Sequence, residues 1–103
     1  MRVFFAALCL PILWAAPAAA HSPLVACFDN EDGTITCEAG YSDGASSAGQ
    51  VIRVLQTNKR LILENVFDKK GTYTFKKPVT AFFVEFIGDT AHLATFDSVD
   101  LEK

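Results

Sequence analysis

Leu24-Val25-Ala26-Cys27-Phe28-Asp29-Asn30-Glu31-Asp32-Gly33-Thr34-Ile35-Thr36-Cys37-Glu38 holds two short apolar runs, 24–28 and 34–38, joined by five turn-forming residues. That pattern predicts a β-hairpin. A turn centred near Asp32 sets Cys27 opposite Cys37, at a separation a disulfide can close when the pair occupies a non-hydrogen-bonded site. Closing so short a loop is worth roughly 2 to 3 kcal/mol on the chain-entropy model, a useful fraction of the stability of a small domain.

Outward from the hairpin the same grammar repeats. Gly40-Tyr41-Ser42-Asp43-Gly44-Ala45-Ser46-Ser47-Ala48-Gly49 is small and polar, which predicts a mobile loop outside any packed core. Strands are expected over 50–56 and 61–67, with Thr57-Asn58-Lys59-Arg60 turning between them. Residues 72–76 alternate strictly, Tyr73 and Phe75 on one face against Thr72, Thr74 and Lys76 on the other, and Pro78 ends the strand. Residues 80–87 are almost continuously apolar, as a strand buried on both faces would be, and a last strand covers 92–97. No stretch keeps helical spacing for long enough to compete. The expectation is an all-β, seven-stranded antiparallel β-sandwich, Ig-like or transthyretin-like, with one hairpin disulfide and its strand order left open. The seven phenylalanines after residue 20 are expected to do most of the burying.

The chain has 103 residues, 20% charged. Residues 1–20 read as an export signal: Met1-Arg2 is a short positive start, Val3 to Trp14 an apolar run, and Ala18-Ala19-Ala20 a small-residue cleavage site. The apolar run is too short to span a bilayer stably. Residues 21–103 then form a single domain with no membrane span, periplasmic or secreted, near the lower size at which a hydrophobic core alone suffices. Within it eight Lys and Arg face twelve Asp and Glu, scattered rather than striped, so a nucleic-acid partner is disfavoured. Cys27 and Cys37, an even pair in an exported chain, fit a disulfide.

Enzyme chemistry has little footing. There is no Gly-x-Ser-x-Gly turn, no phosphate loop and no recognisable acid/base carboxylate pair, and a disulfide would consume the remaining thiols. The chain's two histidines are the exception. Cleavage after Ala20 makes His21 the first residue, and its free α-amine and ring Nδ1 can chelate one metal ion. His92 would add a second imidazole, a nitrogen set suited to nickel, cobalt, copper or zinc. In an up-and-down run of seven strands, the entry to the first strand and the connection between the sixth and seventh share an end, so His21 and His92 are expected at the same pole. Asp43, Asp68 and Asp89 belong to that pole as outer or additional ligands. Each feature also has a plain reading: terminal histidines are commonly solvated, and turn aspartates commonly cap backbone N–H groups. Cleavage after Ala18 would leave two alanines ahead of His21 and destroy the chelate. Pro23 removes an amide that copper or nickel would otherwise deprotonate, which excludes the square-planar amino-terminal motif. About 83 residues leave little platform for an extended substrate, which weighs against oxidative copper chemistry.

Several segments together carry a family likeness: His21, Ile52-Arg53-Val54-Leu55, Leu61-Ile62-Leu63-Glu64, Gly71-Thr72-Tyr73-Thr74-Phe75-Lys76-Lys77-Pro78, and Gly88 to His92 with Ala94 following. The chain resembles the small periplasmic, carboxypeptidase-regulatory-like β-sandwich domains that accompany nickel and cobalt uptake transporters. In that family a glycine usually precedes the late histidine, where this chain has Ala91. The resemblance implies extracytoplasmic handling of a divalent transition metal with His21 and His92 as matched ligands, and a membrane transporter, on a separate chain, as partner. The competing expectation is a structural or interaction domain of the cell envelope whose histidines are incidental.

Overall fold

The computed structural model describes residues 21–89 and 93–101. Seven strands form, β1 (Pro23–Asp29), β2 (Thr34–Tyr41), β3 (Val51–Gln56), β4 (Leu61–Val66), β5 (Thr72–Lys76), β6 (Phe82–Ile87) and β7 (Leu93–Asp97), with a 3-10 turn at Ser98–Asp100. They divide into two antiparallel sheets, β1-β2-β5 and β4-β3-β6-β7. The chain changes sheet between β2 and β3, β4 and β5, and β5 and β6. This differs from the constant-type immunoglobulin arrangement, in which the fourth strand joins the first, second and fifth. The alternation of directions survives the crossings. One pole therefore carries the entry to β1, loop 42–50, turn 67–71 and the exit from β6.

Pairing in β1 and β2 follows from the hairpin. Cys27 lies directly opposite Cys37 and is bonded to it, with Cα atoms 4.0 Å apart. Both sulfurs point inward, where Cys37 next meets Tyr73 of β5 and Ile35 meets Phe75. The facing sheet contributes Ile52 opposite Phe86 and Val54 opposite Val84, all fully buried. Edge-to-face pairs fill the core, Phe67 on Phe86 at 5.3 Å and, between the two sheets, Phe75 on Phe82 at 6.0 Å, a geometry set by the ring quadrupoles.

Three expectations need correction. Phe67, Phe75, Phe82 and Phe86 are buried in the core and Phe96 packs partly buried against it; Phe28 is exposed, because the inward positions of β1 go to Val25 and Cys27 and alternation turns Phe28 outward. Strand β6 is fully buried on one face only; the outer face, with no second layer over it, is half-buried. There Arg53 stands opposite Glu85 and its Nε donates to Glu64 Oε1 at 2.9 Å. The 40–49 segment does enter the core, with Tyr41 closing β2 and Ser47 wholly buried. Its hydroxyl donates to the Ala39 carbonyl at 2.8 Å, and a bridge between Gly40 and Ser46 closes the loop on itself. A small polar residue can be buried wherever a backbone acceptor waits for it.

Candidate metal centre

The loop-bearing pole is built on Tyr41. As the last residue of β2 it is 5% exposed, packed edge-on against Phe86 at 5.5 Å. Its other face carries the His21 imidazole, stacked at 4.2 Å and 5° from parallel. The backbone holds this arrangement from the next residue: Ser22 N–H donates to Ser42 Oγ at 3.0 Å and Ser42 N–H to the Ser22 carbonyl at 2.9 Å. The residue ahead of β1 is thereby clasped to the start of loop 42–50.

Two carboxylates meet the imidazole. Asp43 Oδ2 lies 2.8 Å from Nδ1, and Asp89 Oδ2 lies 3.4 Å from Nε2. Asp43 is fixed by its own turn, accepting the Ala45 N–H at 3.0 Å on Oδ1. Asp89 follows the exit from β6 and donates its N–H to the Tyr41 hydroxyl at 2.9 Å. The hydrogen bond to Asp43 raises the His21 pKa above its ordinary 6.5, opposed by desolvation and helped by Asp89. The same bond to His21, then the Ala45 N–H, lowers the Asp43 carboxyl. All three side chains are 39 to 47% exposed, so these attractions are screened by salt and modest.

His21, Asp43 and Asp89 are thus brought together, as the shared-pole argument expects. Asp68 is not drawn in: one carboxyl oxygen accepts the Lys70 and Thr72 N–H groups and the other the Thr72 hydroxyl, all at 2.9 Å. Those bonds lower its pKa, the Thr72 N–H most of all, and fit the plain reading of a turn cap. His92 lies outside the described residues. The chain on either side of it is described, Asp89 at this pole and Leu93 paired with Ile87 at the start of β7.

Among the described residues no group of three or more His, Cys, Asp or Glu could hold a metal ion. The two ring nitrogens diverge, so the carboxylates on them stand at different edges of the imidazole and do not converge on one point. What the described atoms form is an imidazole held between two acceptors, a protonation-dependent contact. Tyr41, and Gln50 whose Oε1 accepts the Tyr41 hydroxyl at 2.7 Å, carry no sequence signal of a site residue. Tyr41 sits in a Gly-Tyr-Ser-Asp-Gly run that reads only as a loop, and nothing local marks its hydroxyl as a hub. No family model, no curated protein and no solved structure matches the chain.

Proposed function

We propose that this chain is exported, loses residues 1–20, and holds a divalent transition-metal ion, nickel, cobalt or copper, at the Tyr41 pole through the His21 amine and Nδ1 and through His92, for delivery to a membrane transporter. The observation that carries the reading is the 3.4 Å approach of His21 Nε2 to Asp89. It joins the residue that would open the mature chain to the connection bearing the other histidine. The motif resemblance supplies the class of ion.

Chelation by the amine would use Nδ1, the atom that faces Asp43 Oδ2 at 2.8 Å. Loading therefore exchanges a proton and the Asp43 hydrogen bond for the ion, and leaves the Asp43 carboxylate beside the new positive charge. A metal needs neutral imidazole and a deprotonated amine, so affinity falls as pH drops from about 8 towards 6. Calorimetry with Ni(II), Co(II), Zn(II) and Cu(II) on protein beginning at His21 tests the reading. Binding lost both in His92→Ala and in a variant with one residue added ahead of His21 supports it. Affinity no tighter than that of free histidine sinks it.

One observation favours a second reading, an interaction domain without a metal. At the opposite pole Val79 is 99% and Val99 80% exposed, beside a groove lined by Pro78, Phe82 and Leu101. Exposed apolar side chains grouped in this way are a feature of contact surfaces. Loss of partner capture on Val79→Asp, with no metal affinity in the parent protein, would select this reading.

A further inference from the structure

Strand register arranges the outer face of the β4-β3-β6-β7 sheet in rows. Val66, Val51, Ile87 and Leu93 lie side by side across the four strands. Glu64, Arg53, Glu85 and Thr95 form the next row, and Leu61, Leu55 and Phe83 the third, ended by Asp97. A charged row is thus bracketed by two apolar ones. The alternate residues of the same strands, Leu63, Val54, Val84 and Phe96 among them, are the ones that fill the core. Leu61, Val66 and Leu93 are exposed, and Val51, Leu55, Phe83 and Ile87 are half-buried. Apolar side chains grouped on one surface mark a contact site.

The charges on this face fit one occupant. Across the middle row they run negative, positive, negative. Arg53 Nε donates to Glu64 at 2.9 Å, while the half-buried Glu85, directly opposite Arg53, enters no ion pair among the described residues. A two-fold axis parallel to the strands and midway between β3 and β6 lays β3 over β6 of a second copy and β4 over its β7, with every residue kept in its row. Arg53 of each copy then meets Glu85 of the other, at two symmetric contacts. Val51 covers Ile87, Leu55 covers Phe83 and Val66 covers Leu93. The guanidinium N–H groups not used on Glu64 suit the second carboxylate. Leu61 falls over Asp97 only at a corner, where the Asp97 carboxylate already accepts the Val99 N–H. Sheets stacked face to face keep their strands within about 30° of one another, as this axis requires.

We propose that this outer face receives a second copy of the same chain, in a self-complementary two-fold dimer in which Arg53 of each copy pairs with Glu85 of the other between two apolar rows. The dimer is independent of the metal reading and uses a surface separate from the Val79 groove. Four strands about 4.8 Å apart, each contributing about 17 Å of length, give a face of roughly 19 by 17 Å. That is smaller than the roughly 800 Å² per partner of a standard interface, so the dimer is expected to be reversible, with Kd about 10 to 100 μM.

The test is sedimentation equilibrium of the oxidised chain beginning at His21, which contains all seven strands and the whole core cluster. The parent protein is expected to show a monomer–dimer equilibrium. Arg53→Glu and Glu85→Arg each set like charges together at both symmetric contacts. Each alone should weaken self-association about 10-fold or more, at a temperature where circular dichroism shows the variant folded. Mixing the two variants puts opposite charges back at both contacts, so the mixture should dimerise about 10-fold or more tightly than either variant alone. A defect of folding or solubility would not be repaired by mixing. Should Arg53→Glu, which also faces Glu64, fail to fold, Leu93→Lys takes its place: it sets a charge on the apolar row at an exposed position and should weaken the dimer to a similar degree. A parent chain that stays monomeric at about 1 mM, as it would if a different protein or residues 1–20 covered the face, overturns the proposal. So does a dimer that survives the substitutions unweakened, or a mixture of the two charge variants that stays monomeric.

Discussion

Gly71 offers a severe test of how the Tyr41 pole is held. Its φ is 76°, and a Cβ built there would lie 2.8 Å from the Ala39 carbonyl oxygen and 2.9 Å from Ser47 Oγ. The left-handed conformation alone costs an alanine roughly 1 to 2 kcal/mol. The close approach adds more, because the nearest atom is backbone in the middle of β2 and cannot swing aside. Relieving the clash stretches two bonds, Ala39 N–H to the Gly71 carbonyl at 2.9 Å and Ser47 Oγ to the Ala39 carbonyl at 2.8 Å. Ser47 is wholly buried, so an unsatisfied hydroxyl there costs about 1 to 3 kcal/mol further. Gly71→Ala is therefore expected to lose about 3 kcal/mol or more. With a urea m-value of about 1 kcal/mol/M for a domain of this size, the midpoint should fall by about 3 M. Gly44→Ala is the internal control: φ is 89° but nothing lies within 4 Å, so only the conformational cost of about 1 kcal/mol applies. Urea unfolding of the oxidised protein followed by tyrosine fluorescence gives both numbers. Equal losses for the two variants would refute the claim that close packing of turn 67–71 on β2 and Ser47 holds this pole.

Replacing Cys27 and Cys37 together by alanine should cost roughly 2 to 3 kcal/mol, read as the difference in unfolding free energy under identical conditions. Phe86→Ala, which strips the partner of both Phe67 and Tyr41, should cost about 3 to 5 kcal/mol and blur the His21 ring resonances in NMR spectra. The Asp68 carboxyl is held low by Thr72 and Lys70. Its stabilising contribution is present above its ordinary value near 3.8 and lost as pH falls through the lower folded value. Asp68→Asn should accordingly flatten the acid limb of the stability profile, and an unchanged acid limb would contradict the assignment. His21 has the opposite sign. Its raised pKa makes the contact with Asp43 complete below about 6.5 and lost as pH rises through the folded value. An NMR titration of the His21 ring should show a midpoint that drops in Asp43→Asn; an unmoved midpoint would rule out the hydrogen bond as its cause.

Local chemistry carried the hairpin. Asp29 to Gly33 supply turn residues between two alternating runs, and period-2 alternation with two cysteines fixes register to the residue. The strict alternation of 72–76 likewise puts Tyr73 and Phe75 on one face without reference to any neighbour, and that face is the one turned to the core. Burial was less legible where the outcome depended on a partner far along the chain. Phe28 and Phe83 are as apolar as Phe82 and Phe86, yet they point to the outer faces of a two-layer structure. Ser47 looked like loop because its acceptor, the Ala39 carbonyl, lies in a strand the sequence does not connect to it.

The same division runs through the candidate site. Sequence alone determined that the chain is all-β, that Cys27 faces Cys37, and that seven alternating strands return the β6 exit to the pole where β1 begins, because each of these follows from short-range periodicity and counting. Only the tertiary structure decided that β4 joins β3, β6 and β7 rather than the β1-β2-β5 sheet, that Asp43 and Asp89 meet His21 while Asp68 caps its own turn, and that the Tyr41 ring lies beneath His21. Those outcomes depend on distances between residues up to 68 positions apart, which sheet packing sets and no local pattern encodes.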